Sequence, residues 1–128
     1  MKATELMIGD WVCYKGRTQI PARVLSFNNQ TIKFDSGTPQ DWMSTIENFE
    51  PIPLTKEILE KNGFCSLPNV GYVMEEHENE IIYDLWDHKL RILKNREQIL
   101  NLEYFNEMCV HELQHALLLA GVEKKIEL

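Results

Sequence analysis

The stretch Thr31-Ile32-Lys33-Phe34-Asp35 alternates polar and apolar side chains one for one. This is the period-two signature of a strand with one face buried and the other in water. The preceding segment Ala22–Phe27 is also strand-like, and Asn28-Asn29 between the two tolerates the positive φ that a tight hairpin turn demands. An earlier strand is expected within Leu6–Tyr14, bent near Gly9-Asp10, and a later one within Asp41–Ile52. Short strands at this spacing restrict residues 1–53 to a small antiparallel unit, an SH3-like barrel or a curled meander.

The pattern then changes period. In the segment Pro51–Phe64, Thr55 suits an N-cap and Glu57 the first turn, while Gly63 stands where a helix stops, with Phe64 placed to contact Leu59. A helix of about two turns is expected there. Three further strands are expected in Val70–Glu76, Asn79–Asp87 and His88–Asn95, with Ile81, Tyr83 and Leu85 on one strand face. A turn at Asp87-His88 would bring Lys89 and Arg91 back towards Asp84 and Asp87 as surface ion pairs.

A last helix is expected to start between Asn101 and Asn106, run to Ala120 and stop at Gly121, with Val122 contacting Leu117. On it Phe105, Cys109, Val110, Leu113, Ala116, Leu117 and Ala120 form one apolar arc, with Glu107, His111, Gln114 and His115 opposite. Leu118 and Leu119 make the final turn apolar all round, which implies a covered end. The fold class is therefore α+β: an N-terminal SH3-like antiparallel β unit (1–53), then a unit (54–128) with a short connecting helix, a second antiparallel meander and a C-terminal helix packed on strands, the whole forming one compact domain.

Thirteen basic and twenty acidic side chains leave a net charge of −7. A strong non-specific grip on nucleic acid needs clustered cations over phosphates, and such a surplus is missing. The only candidate stripe is Lys15, Arg17, Arg23 and Lys33 on the N-terminal unit, which keeps a nucleic-acid-associated β-barrel module as one alternative. The segment 75–87 carries Glu75, Glu76, Glu78, Glu80, Asp84 and Asp87 with no Lys or Arg, a solvated face or a docking surface for a basic protein partner. No run reaches the length of a membrane span, so no membrane association is expected and the location expected is cytoplasmic. Cys13, Cys65 and Cys109 are odd in number and form no C-x-x-C pair, which suits buried reduced thiols.

Residues 111–115 read His-Glu-Leu-Gln-His, the H-E-x-x-H spacing by which two helical His side chains hold Zn²⁺ and the Glu acts as general base. His111 and His115 would be the ligands and Glu112 the base of a minimal zinc-dependent metallopeptidase. The longer protease patterns are not completed. Position 118 is Leu where a Gly is required, Glu123 and Glu127 follow the helix stop and would need a tight reversal, and His77, His88 or the acids of 75–87 would have to approach from the meander to supply a third ligand. Without a third ligand the pair has the character of two His on the less apolar face of an amphipathic helix. No cofactor is then expected, and His111 and Gln114, three apart, are placed to satisfy backbone groups of a neighbouring strand or loop.

The opening Glu5-Leu-Met-Ile-Gly-Asp-Trp-Val12, the middle Pro51–Phe64 and the tail Val110–Gly121 together resemble a group of short uncharacterised proteins encoded in prophages and mobile elements of Bacteroides-type bacteria. The resemblance is weakest between 65 and 100. The tail of that group reads V-H-x-L-Q-N, matched here by Val110, His111, Leu113 and Gln114. Position 115 departs from it by carrying His in place of Asn. The resemblance implies a mobile-element setting and, with no completed catalytic pattern, a non-enzymatic accessory or protein-interaction role.

Overall fold

Ten short strands and two α-helices follow one another in the computed structural model, which describes residues 2–16, 19–39, 41–84, 86–104 and 107–128. The strands form two antiparallel sheets of five, so the protein is α+β. The chain divides into one unit of 1–52 with 109–111 and a second of 53–108 with 112–128. Arg17, Leu85 and Phe105, expected in the basic stripe, the strand face and the helical arc, lie outside the described residues.

In the first unit, β1 (Trp11–Lys15), β2 (Gln19–Phe27), β3 (Thr31–Asp35), β4 (Trp42–Thr45) and β5 (Phe49–Pro51) are ordered β4-β3-β2-β1-β5. The alternation in 31–35 is realised: Ile32 and Phe34 are buried, and with Leu6, Val12, Ala22, Val24 and Phe49 they form the unit's core. Tyr14, Phe34 and Phe49 pack as a ring trio with centroids 5.0–5.4 Å apart, a geometry that adds to simple area burial. The β2–β3 turn differs from expectation, since Asn28 and Asn29 are not among the residues at positive φ. The Asn28 carboxamide instead accepts hydrogen bonds from the Gln30 and Thr31 amides at 2.8 and 2.9 Å. A side-chain turn thus replaces the left-handed backbone turn.

In the second unit, α1 (Lys56–Lys61) starts as expected, with the Ile58 amide donating to Thr55 Oγ1 at 3.3 Å. It ends with Gly63 at φ +91°, Phe64 N–H bonded to the Leu59 carbonyl and Gly63 N–H to that of Glu60, the paired bonds of a Schellman stop. Helix α2 (Val110–Leu119) ends the same way, with Gly121 at φ +71° and Val122 N–H on the Leu117 carbonyl. Between the helices, β6 (Cys65–Leu67), β7 (Gly71–Glu76), β8 (Asn79–Asp84), β9 (Lys89–Lys94) and β10 (Glu97–Glu103) make a sheet in the order β10-β9-β8-β7-β6. Tyr72, Met74, Ile81, Tyr83, Leu90 and Ile92 are its buried apolar face.

Two expectations for this unit are corrected. The meander has five strands where three are expected, and 97–103, part of which is assigned to the last helix, is β10. The segment is rich in Glu, Gln and Leu and has no intrinsic objection to a helix. The deciding feature is the two-residue turn Asn95-Arg96, with both residues at positive φ (52° and 69°). It matches a right-twisted hairpin and folds the segment onto β9. The helix accordingly begins at Val110. The second correction concerns Lys89, whose ammonium pairs with Glu103 at 3.3 Å. The Asp84 carboxylate serves the following turn instead, accepting the Trp86 and Asp87 amides at 2.8 and 3.3 Å.

Candidate functional site

Three places carry chemistry that the fold alone does not require: the His-Glu-Leu-Gln-His stretch of α2, the acidic hairpin β7–β8, and a shallow concavity beside β8 and β9.

The stretch 111–115 occupies the first turns of α2. Val110, which opens the helix, donates its amide to the Ile52 carbonyl at 2.8 Å. His111 is only 4% exposed, in line with Val110, Leu113, Ala116 and Leu117, all 1% or less. The expectation that His111 lies on the outward side is therefore corrected. In the first turn Val110, His111 and Leu113 are all buried and only Glu112 is half-buried, so the two-faced pattern does not divide that turn as expected. Glu112, Gln114 and His115 are half-buried. At the other end Leu118 and Leu119 are 63% and 78% exposed, so the end expected to be covered is open.

Glu112 lies close to Tyr104, whose phenol is pushed above its ordinary pKa, first by burial, then by the Glu112 carboxylate and by Tyr83. Tyr83 is fully buried, and its hydroxyl accepts the Met108 amide at 3.3 Å. That bond ties the segment before α2 to the sheet. Tyr104 is thus kept neutral beside Glu112 across the physiological range. Among the described residues no three His, Cys, Asp or Glu side chains converge so as to hold a metal ion. His77 and His88 sit in the β7–β8 and β8–β9 turns at φ 55° and 51°. Glu123 and Glu127 belong to the tail after Gly121. The cysteines are not the buried thiols expected, since Cys13 and Cys109 are half-buried and Cys65 is exposed, and the Cys13 thiol is pushed up by burial and by Glu50, with Lys15 opposing. This is the reverse of an activated thiolate.

The acidic hairpin is defined by register. Glu75 stands directly opposite Glu80, and Glu76 opposite Asn79. Glu78 is ion-paired with Lys94 at 3.5 Å, whereas Glu75 and Glu80 have no cationic partner within 4.0 Å among the described residues. The sequence showed the charge run but not the face-to-face pairing, which depends on where the hairpin turns.

The concavity, about 210 Å³, is lined by Val70, Ile82, Asp84, Asp87, Lys89 and Arg91. The four charged residues expected near one another are thus brought to one place, as neighbours around a hollow. On the first unit, Lys15, Arg23 and Lys33 are each matched by a local carboxylate: Glu50 at 3.1 Å, Asp35 at 3.5 Å and Asp41 at 3.5 Å. The cations proposed as a stripe are thereby locally neutralised.

No helix of the described chain is long and apolar enough to cross a membrane. Compared with protein-family models, curated proteins and solved structures, the chain has no significant match in any of the three.

Proposed function

We propose that this is a non-enzymatic accessory or interaction protein, acting in the bacterial cytoplasm in a prophage or mobile-element setting, and that it works by binding another protein. The resemblance of Val110, His111, Leu113 and Gln114 to the V-H-x-L-Q-N tail supports the setting. The first unit is assigned an SH3-like fold. Its support is the order β4-β3-β2-β1-β5, with β1 bonded to both β2 and β5, and the 3-10 turn Ile46–Asn48 leading into β5.

The observation that carries the binding reading is the Glu75–Glu80 pair. Like charges directly opposed on a strand pair destabilise by about 0.2–1 kcal/mol. Glu75 is exposed and Glu80 half-buried on the face opposite Met74 and Ile81, and neither has a cation within 4.0 Å among the described residues to offset the repulsion. A partner presenting Lys or Arg there would turn the repulsion into attraction and give orientation as well as rate.

Two effects of opposite sign are expected from Glu75→Gln with Glu80→Gln. The double variant should be more stable than the parent by about 0.5 kcal/mol in urea unfolding. It should also lose a partner that the parent captures by cross-linking in the native host. Unchanged capture would refute the hairpin as the docking surface.

A further inference from the structure

The concavity beside β8 and β9 lies on the outward face of the second sheet, and register sets its walls. Ile82 stands opposite Arg91, and Asp84 opposite Lys89. Val70 and Asp87 close it from the turns before β7 and after β8. Ile82 alternates with Ile81 and Tyr83 of the core face, yet it is only 7% exposed, so the floor of the hollow is apolar. Opposite charges on neighbouring strands ordinarily find one another. Here they do not. Lys89 turns to Glu103 at 3.3 Å, and one Asp84 oxygen is held by the Trp86 and Asp87 amides at 2.8 and 3.3 Å. What is left facing the hollow is the second Asp84 oxygen, the exposed Asp87 carboxylate and the half-buried Arg91 guanidinium. No carboxylate lies within 4.0 Å of Arg91 among the described residues. A positive and a negative pole therefore stand apart over an apolar floor.

Charge and size select the occupant. A simple anion would gain Arg91 but meet two aspartates, and a simple cation would meet the reverse. A molecule carrying both charges a few bonds apart satisfies each pole. The planar guanidinium, with its fork of donors, suits a carboxylate, and the aspartates suit an ammonium. The volume of about 210 Å³ falls below the roughly 300–1,000 Å³ of pockets that take drug-sized ligands. The occupant is therefore small.

We propose that this concavity binds a free α-amino acid with a short apolar side chain, its carboxylate on Arg91, its ammonium on Asp84 and Asp87, and its side chain on Ile82 and Val70. A peptide terminus carries only one of the two charges and leaves one pole unmet. The hollow is shallow, so affinity in the millimolar range is expected. The site does not depend on the acidic hairpin, since Glu80 lies towards the other end of β8.

The test titrates L-leucine, L-leucinamide and N-acetyl-L-leucine to about 20 mM into the full isotope-labelled chain, read by amide and Arg91 Nε–H shifts. Expected are saturable shifts at Val70, Ile82, Asp84, Asp87 and Arg91 with L-leucine, and affinity about tenfold weaker for either singly charged analogue. Arg91→Gln should weaken L-leucine about tenfold without weakening L-leucinamide. Asp87→Asn should weaken L-leucine several-fold without weakening N-acetyl-L-leucine. A merely structural role for Arg91 would not produce that split between ligands. Asp87 is exposed in a turn, so its variant carries the test should Arg91→Gln fail to fold. No saturable response to L-leucine, shifts confined to other residues, or affinities indifferent to both substitutions would overturn the proposal. So would an analogue that binds as tightly as L-leucine, which would make the hollow a site for a simple anion or cation.

Discussion

Gly71→Ala should lower stability by about 3–5 kcal/mol, the larger of the two strongest effects expected from single substitutions here. Gly71 opens β7 at φ +115°, where an L side chain is already strained, and an added Cβ would stand 2.4 Å from the Tyr83 carbonyl oxygen and 3.2 Å from Asp84 Cα. Both obstacles are backbone atoms of the paired strand β8, so neither can rotate away. Relief would require opening the β7–β8 ladder where it begins. Gly121 provides the control: its φ is +71°, but nothing lies within 4 Å of the added carbon. Gly121→Ala should therefore cost only about 1 kcal/mol, from backbone strain at positive φ. Urea midpoints at constant slope measure both, and equal losses would show that close approach is not the reason for Gly71.

The second large effect is expected at Asn62, 3% exposed and one of few buried polar side chains. Its carboxamide acts as a miniature strand for the C-terminal tail. Asn62 Nδ2 donates to the Glu127 carbonyl, the Glu127 amide donates to Asn62 Oδ1, and Nδ2 also donates to the Ile58 carbonyl, all at 2.7 Å. Val122 and Ile126 are buried on the same tail. Asn62→Leu keeps the volume but leaves the Glu127 amide and carbonyl without their partner. Each unsatisfied group costs about 1–3 kcal/mol unless the tail detaches and rehydrates it. A loss of about 3 kcal/mol is expected, together with rapid hydrogen exchange at the Glu127 amide. A variant as stable as the parent, with that amide still protected, would mean that the apolar anchors alone hold the tail.

Local signals are most secure where one residue type has one physical use. Thr55 as a cap, Gly63 and Gly121 as helix stops, and the alternation of Ile32 and Phe34 depend on neighbours a few positions away, and each stands where the sequence places it. The misreadings share a cause: they depend on a turn. Whether Glu97–Glu103 is helix or strand is decided by Asn95-Arg96 adopting positive φ, and Asn-Arg is a weak turn signal beside Asn-Gly. Lys89 pairs with Glu103 because β10 lies beside β9, so the ion pairs depend on the strand count. The burial of His111 was hidden for a similar reason, since the face a helical residue presents depends on where the helix begins. At the candidate site the charge run 75–87 is legible, but the opposition of Glu75 to Glu80 is a matter of register.

If the chain acts through its surfaces, as proposed, His-Glu-Leu-Gln-His serves to pack α2 and holds no zinc. The most direct measurement is the zinc content of untagged protein, together with thermal melts with and without EDTA, for the parent and for His115→Asn. A structural or catalytic zinc would couple its binding to stability and make the melt sensitive to chelation. The expected result is far less than one equivalent of zinc, melts unmoved by EDTA, and His115→Asn as stable as the parent. One equivalent of zinc per chain, with an EDTA-induced fall in Tm that His115→Asn reproduces, would contradict the account.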